Sequence, residues 1–183
     1  QPVERELQLS EFPSLEDLWP LYQQWKGLTA PQAVKLIEQP FYTDGSGREP
    51  RYYQRVAINR AVEAIAKGQQ RVLLVMATGT GKTVIAAFDY ARFTFRAVSE
   101  SVGNMRPNLL FVAHRKEILE QARDCFRTVL RDANFGELLV DGSRPAAWNH
   151  VFASVQSLTN AEPWLTFSPE HYPFIVIDEA HHS

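Results

Sequence analysis

Thirteen residues, RVLLVMATGTGKT at positions 71–83, constrain this 183-residue chain more than any other stretch. An apolar run rich in β-branched residues (Val72, Leu73, Leu74, Val75) breaks into a turn carrying Gly79 and Gly81. Lys82 and Thr83 follow, and then Val84, Phe88, Ala91 and Phe95 at helical spacing. The pattern predicts a strand, a phosphate-binding loop and a helix. Thr78, Gly79, Thr80 and Gly81 form the loop, which must bring backbone N–H groups against phosphate oxygens in conformations most residues avoid. Lys82 would neutralise the β and γ phosphates and so take part in catalysis, and the Thr83 hydroxyl would hold Mg²⁺. The dipole of the following helix adds partial positive charge at the same spot. The stretch departs from the strict pattern G-x-x-x-x-G-K-[ST] at its first position, which is Met76.

With 45% hydrophobic residues the chain can bury one good core, so one domain plus an appendage is the natural count. A net charge of -2 gives no global electrostatic case for nucleic acid, and any such site must be local. The single cysteine, Cys125, can form neither an internal disulfide nor a zinc cluster, which fits a reducing cytoplasm. No apolar run approaches membrane-spanning length and no signal peptide is visible, so no membrane is expected. A start at Gln1 and an end at Ser183, five residues after a strand's final aspartate, point to an excerpt of a longer protein.

Residues 1–42 read as a helical extension. Ser14 with Asp17 makes a capping-box start for LEDLWPLYQQW, in which Pro20 should kink or divide the helix. A second short helix begins at Pro31 and ends before Pro40. Residues 43–50, TDGSGREP being 43–50, form a turn-rich linker. The helix after it carries an apolar face of Ala57, Ile58, Ala61, Val62 and Ile65 and closes at Gly68. Arg51 and Gln54 stand at its start, and a glutamine amide can pair with the N6 and N7 edge of adenine. Strands are expected at 109–113, 137–140, 150–154 and 174–178, with an amphipathic helix carrying Ile118, Leu119, Ala122, Phe126 and Val129 and a short helix within 159–172. Apolar strands alternating with such helices mean an α/β fold, a parallel sheet with helices on both faces, whose ligands bind at the carboxyl ends of the strands.

FIVIDEAHH completes the chemistry. A carboxylate ending a hydrophobic strand suits Asp178 to hold the Mg²⁺ hydration shell, and Glu179 to orient and deprotonate the attacking water. A metal site of Asp178, Glu179, His181 and His182 is disfavoured, because adjacent histidines do not share a helical face.

In order, Arg51-x-x-Gln54, MATGTGKT, VAHRKEILEQA, ASVQSL and DEAH resemble the Q motif, motifs I and Ia, the next nucleic-acid motif and motif II of superfamily 2 helicases. The stretch from LWPLYQQWKGL to MATGTGKT is similar to the motor (R) subunit of type I restriction enzymes. The later part resembles bacterial helicases of the restriction-helicase class. The resemblance implies a RecA-like P-loop NTPase domain over residues 51–183, ending after motif II. It implies an ATP- and Mg²⁺-dependent translocase or helicase acting on nucleic acid, duplex DNA first. Arg51 and Gln54 would recognise adenine, residues 79–83 and Asp178 would hold MgATP, Glu179 would be the base, and His181 would relay nucleotide state to a second RecA-like domain of the same parent chain. His114, Arg115, Ser154 and Gln156 match positions near the nucleic-acid backbone, where contacts grip phosphates without reading sequence. That second domain would donate an arginine finger, so the fragment by itself should be inactive, and restriction-modification subunits are expected partners. The competing readings are a nucleotide-gated nucleic-acid-binding module and an RNA helicase domain. No nuclease signature of paired carboxylates with lysine stands in residues 1–50.

Overall fold

The structure is a computed structural model that describes residue 8 and residues 11–38, 49–100, 106–160 and 167–178. Its residues group into two units: 1–39 with 61–72, and 40–60 with 73–183.

In the first unit, helix α1 (Leu15–Lys26) starts from a reciprocal cap, in which Ser14 Oγ accepts from the Asp17 amide and the Asp17 carboxylate accepts from the Ser14 amide. It ends at Gly27, whose φ of 68° closes the last turn. Pro20 does not divide α1, contrary to expectation. Pro20 and Glu16 are both exposed, so water can satisfy the carbonyl that the proline leaves without a donor. Helix α2 (Pro31–Glu38) follows. Leu28 and Ala33 are buried, whereas α1 buries no residue. The end of α3 (Tyr52–Ala66) belongs to this unit, where Glu63 pairs with Lys67 at 2.8 Å and Lys26 at 3.1 Å. Those two ammonium groups, Lys67 foremost, hold the Glu63 carboxyl below its ordinary value.

The second unit is built on a four-stranded parallel sheet in the order β2-β3-β1-β4. Its strands are β1 (Leu109–Ala113), β2 (Glu137–Leu139), β3 (His150–Ser154) and β4 (Phe174–Ile177). Strand β1 is buried along its whole length, as a central parallel strand covered on both faces must be. Its alternate residues divide between two cores. Phe111 faces an aromatic cluster with Phe126 and Phe152, into which Phe135 and Tyr90 also pack. Helices α4 (Lys82–Glu100) and α5 (Lys116–Leu130) deliver Tyr90 and Phe126 to it. The Tyr90 hydroxyl donates to the Pro107 carbonyl at 2.7 Å, and burial raises its pKa beyond the ordinary range. Leu110 and Val112 face the other way, into a core with Leu139, Val151, Ala153 and Tyr172, flanked by Trp148, Val155, Leu158 and Phe167.

A short helix, α6 (Val155–Asn160), overlaps the start of the stretch 159–172 where one is expected; it follows directly on β3, and the Ser154 hydroxyl caps it by accepting from the Ser157 amide. Residues 161–166 lie outside the described residues. The strand expected at 72–75 is not a strand. Residues 71–77 join no ladder, and Val72, Leu73, Leu74 and Val75 are 46%, 81%, 36% and 83% exposed. Strand structure is a pairing, and among the described residues no segment pairs with this one.

Candidate functional site

The loop from β-branched run to helix closes on itself before any ligand is considered. Thr80 Oγ1 donates to the Ala77 carbonyl at 2.7 Å, and Lys82 Nζ donates to the Met76 carbonyl at 3.2 Å. The second bond explains why methionine can stand where the strict pattern has glycine. Met76 takes part through its backbone carbonyl and has no positive φ, so nothing there demands the missing Cβ. Gly79 and Gly81 do have positive φ, 77° and 85°. Gly81 is constrained twice, since a Cβ built on it would lie 2.5 Å from Gln54 Nε2.

Gln54 is the hub of this region, 7% exposed. Its Oε1 accepts from the Arg51 amide at 2.9 Å and its Nε2 donates to the Thr80 carbonyl at 2.9 Å. The side chain therefore caps the start of α3 and fastens that start to the glycine loop. Arg51 is exposed, and its guanidinium donates to the Tyr53 hydroxyl at 3.2 Å. Arg51, Gln54, Gly79, Thr80 and Gly81 line one cleft of about 430 Å³.

The parallel register places the remaining candidates at the carboxyl edge of the sheet. Ala113 is level with Ser154, and Val112 with Ile177. His114, Arg115, Ser154, Gln156 and Asp178 thus follow the ends of three adjacent strands. The Asp178 amide donates to the Val112 carbonyl at 2.9 Å, so the backbone that carries this carboxylate is tied to β1. His114, Arg115 and Gln156 are exposed, and α5 starts at Arg115 without a side-chain cap, which leaves its first N–H groups for another acceptor. Ser154 differs from its neighbours. It is 6% exposed, and its hydroxyl donates to Ser157 Oγ at 2.8 Å while capping α6. It shapes this edge from beneath.

Glu179, His181 and His182 lie outside the described residues. Among the described residues no group of three or more His, Cys, Asp and Glu could hold a metal ion. A hydroxyl on Thr83 and a carboxylate on Asp178 are hard oxygen donors, the kind that holds Mg²⁺ together with phosphate oxygens and water.

Sequence reasoning missed a polar group beside the loop helix. Arg92 and Asp89 on α4 are buried, and Arg92 Nη1 donates to Asn59 Oδ1 on α3 at 3.2 Å. Burial pushes the Asp89 carboxyl up to about 8, against the opposing pull of Arg92. The signal was available: charges three apart share one face of a helix, and in the otherwise apolar AAFDYARF a covered helix takes both inside together.

Comparison with known proteins bears on this arrangement. The family model described as "Type III restriction enzyme, res subunit" matches residues 48–183. The type I restriction enzyme EcoAI endonuclease subunit of Escherichia coli is 37% identical over 98% of the chain and 21% of its own length. The Saccharomyces cerevisiae protein named as ATP-dependent helicase IRC3 is 30% identical over 83% of the chain and 21% of its own length. A solved fragment titled as an HsdR subunit of a type I restriction enzyme, from Vibrio vulnificus YJ016, superposes with a TM-score of 0.67. It is 28% identical, over 94% of this chain and 29% of that one. The chain spans about a fifth or less of the length of the curated relatives it matches.

Proposed function

We propose, for a chain that belongs to the family of the type III restriction enzyme res subunit, that it is the ATP-binding RecA-like motor domain of a DNA translocase in a type I restriction or related system. The observation that carries the reading is the cradle itself: a loop whose glycines have positive φ, closed by Lys82 and fastened through Thr80 to a buried glutamine. Lys82 would leave the Met76 carbonyl for the β and γ phosphates, a charge-assisted exchange that favours the nucleotide-bound loop. Mg²⁺, held by the Thr83 hydroxyl and Asp178, would supply charge to the phosphate oxygens. Glu179 would orient and deprotonate the attacking water, and His181 would pass nucleotide state to a second RecA-like domain.

Nucleic acid would run along the carboxyl edge, where His114, Arg115, Gln156 and the uncapped start of α5 present donors to phosphates. Such contacts need no net positive charge, which suits a chain of charge -2. Ser154 contributes by capping α6, the helix that carries Gln156. Duplex DNA and restriction-modification subunits as partners follow from what the EcoAI relative's name says of that protein. A site in the cytoplasm accords with a single cysteine and with the absence, among the described residues, of any helix long and apolar enough to cross a membrane.

Steady-state ATP hydrolysis by the intact protein, with no nucleic acid, duplex DNA, single-stranded DNA or RNA, tests this. Duplex DNA should stimulate turnover, Lys82→Ala should abolish it, and Glu179→Gln should keep ATP bound yet stop hydrolysis. Stimulation by RNA or single strands alone would replace the translocase with a strand-separating helicase. No stimulation at all would favour a nucleotide-gated binding module, and wild-type turnover in Lys82→Ala would sink the phosphate-loop assignment.

A further inference from the structure

Resting on that reading of the carboxyl edge and deepening it, we propose that the Asp141 carboxylate is a built-in competitor for the nucleic-acid backbone, covering Lys116 until a phosphate displaces it. Lys116 is then a further phosphate contact, next along the chain from His114 and Arg115.

The turn that carries Asp141 is fixed by the chain's own hydrogen bonds. It leaves the carboxyl end of β2, where the Ser143 amide donates to the Val140 carbonyl at 2.9 Å. The two residues between them, Asp141 and Gly142, both have positive φ, 50° and 79°. A tight turn with two such residues is formed most readily by glycine, asparagine and aspartate. Beyond the turn, the Glu137 carboxylate accepts from the Ala146 and Ala147 amides at 2.7 and 2.9 Å, which ties the returning chain to β2. The backbone at position 141 thus needs a residue that tolerates the left-handed region, and asparagine would meet that need. It does not need a negative charge.

That charge has its counterpart on a neighbouring element. Asp141 Oδ2 lies 3.5 Å from Nζ of Lys116, the first residue of α5. A lysine there faces the positive end of the helix dipole, and Arg115 precedes it, so an anion is favoured beside it. Glu117 lies in the same first turn, but among the described residues the carboxylate within ion-pair reach of Lys116 is that of Asp141. The two side chains are 46% and 68% exposed, and an ion pair so open to water holds weakly. A backbone phosphate offers the same charge with its own acceptor oxygens and sheds counterions as it binds, so it displaces Asp141 at low salt. Each grip at Lys116 therefore costs the loss of an internal ion pair, which suits a motor that must let go of every phosphate it takes hold of.

The test is binding of a fluorescein-labelled DNA duplex to the intact protein, read by anisotropy between about 50 and 200 mM salt. Asp141→Asn keeps a residue suited to the turn and removes the charge, and it should tighten binding by about threefold or more at the low-salt end. Lys116→Gln should weaken binding and make the dependence of log K on log salt shallower by about 0.9, the loss of one phosphate contact. In the Lys116→Gln background, Asp141→Asn should change affinity by less than about 1.5-fold. An undiminished gain in that background makes Asp141 a general repulsive charge and overturns the competition, as does the absence of a gain in the single variant. An unchanged salt slope in Lys116→Gln removes Lys116 from the contact and overturns it too. A wild-type protein that binds no duplex overturns the nucleic-acid reading of the edge and this inference with it.

Discussion

Gly79 and Gly81 carry the same backbone demand but different surroundings, and that difference can be measured. Each has φ near 80°, where a Cβ costs on the order of 1 kcal/mol. Around Gly79 a Cβ meets nothing within 4 Å, whereas at Gly81 it would strike Gln54 Nε2 at 2.5 Å. Both alanine variants should therefore lose about 1 kcal/mol of stability. Only Gly81→Ala should also push Gln54 off the Thr80 carbonyl, and its ATP affinity should fall at least about tenfold below that of Gly79→Ala. Thermal melts and calorimetric titration check the pair; equal affinities would remove Gln54 from the coupling between α3 and the loop. The turn with Gly79 and Gly81 ahead of α4 was legible in the sequence because it is a local device, a few consecutive residues with fixed backbone needs. Gln54 was legible only as a candidate, since its bond to Thr80 spans 26 positions.

At the scale of elements, α4 carries two buried charged side chains, Asp89 and Arg92, and Arg92 reaches Asn59 on α3. Asp89 is buried, and its Oδ1 has no hydrogen-bond partner among the described residues. Burial lifts its pKa to about 8 in the folded state, against 3.8 for an exposed aspartate. The folded chain thus binds a proton that the unfolded chain releases between those values. The stability this provides is complete below about pH 4 and is lost as pH rises toward 8. Urea midpoints should fall from pH 5 to pH 8 in the wild type, and Asp89→Asn should flatten that slope by on the order of 1 kcal/mol or more. Parallel curves for the two proteins would refute the assignment. The helices themselves were readable from apolar spacing, as in Leu119, Ala122, Phe126 and Val129 on α5, all buried. Their termini were less so: α6 begins at Val155 because Ser154 caps it, a choice that a serine alone does not announce.

At the scale of the whole molecule, the sheet leaves apolar side chains uncovered along its β4 edge. Among the described strands β4 pairs with β1 alone, and Ile175 and Ile177 are 55% and 59% exposed. Residues 72–75, written as a strand, stand unpaired and exposed as well. A hydrophobic edge of this kind is a template for pairing between copies. The 183-residue chain by itself should therefore self-associate at micromolar concentrations, and Ile175→Lys should suppress this while shifting Tm by no more than about 2 °C. Sedimentation velocity at several concentrations decides; identical association in the variant would place the contact elsewhere. By itself the sequence determined the strands at 109–113 and 150–154, the helix-forming runs and the glycine turn ahead of α4, because periodicity and turn chemistry act over a handful of neighbours. Tertiary structure alone decided that β4 is an edge among the described strands, that Ser154 caps α6 and is buried, and that Val84 and Val129 share one cleft across 45 positions of chain. Pairing and burial are properties of what arrives from elsewhere in the chain, and an apolar run becomes a strand only when a partner takes its hydrogen bonds.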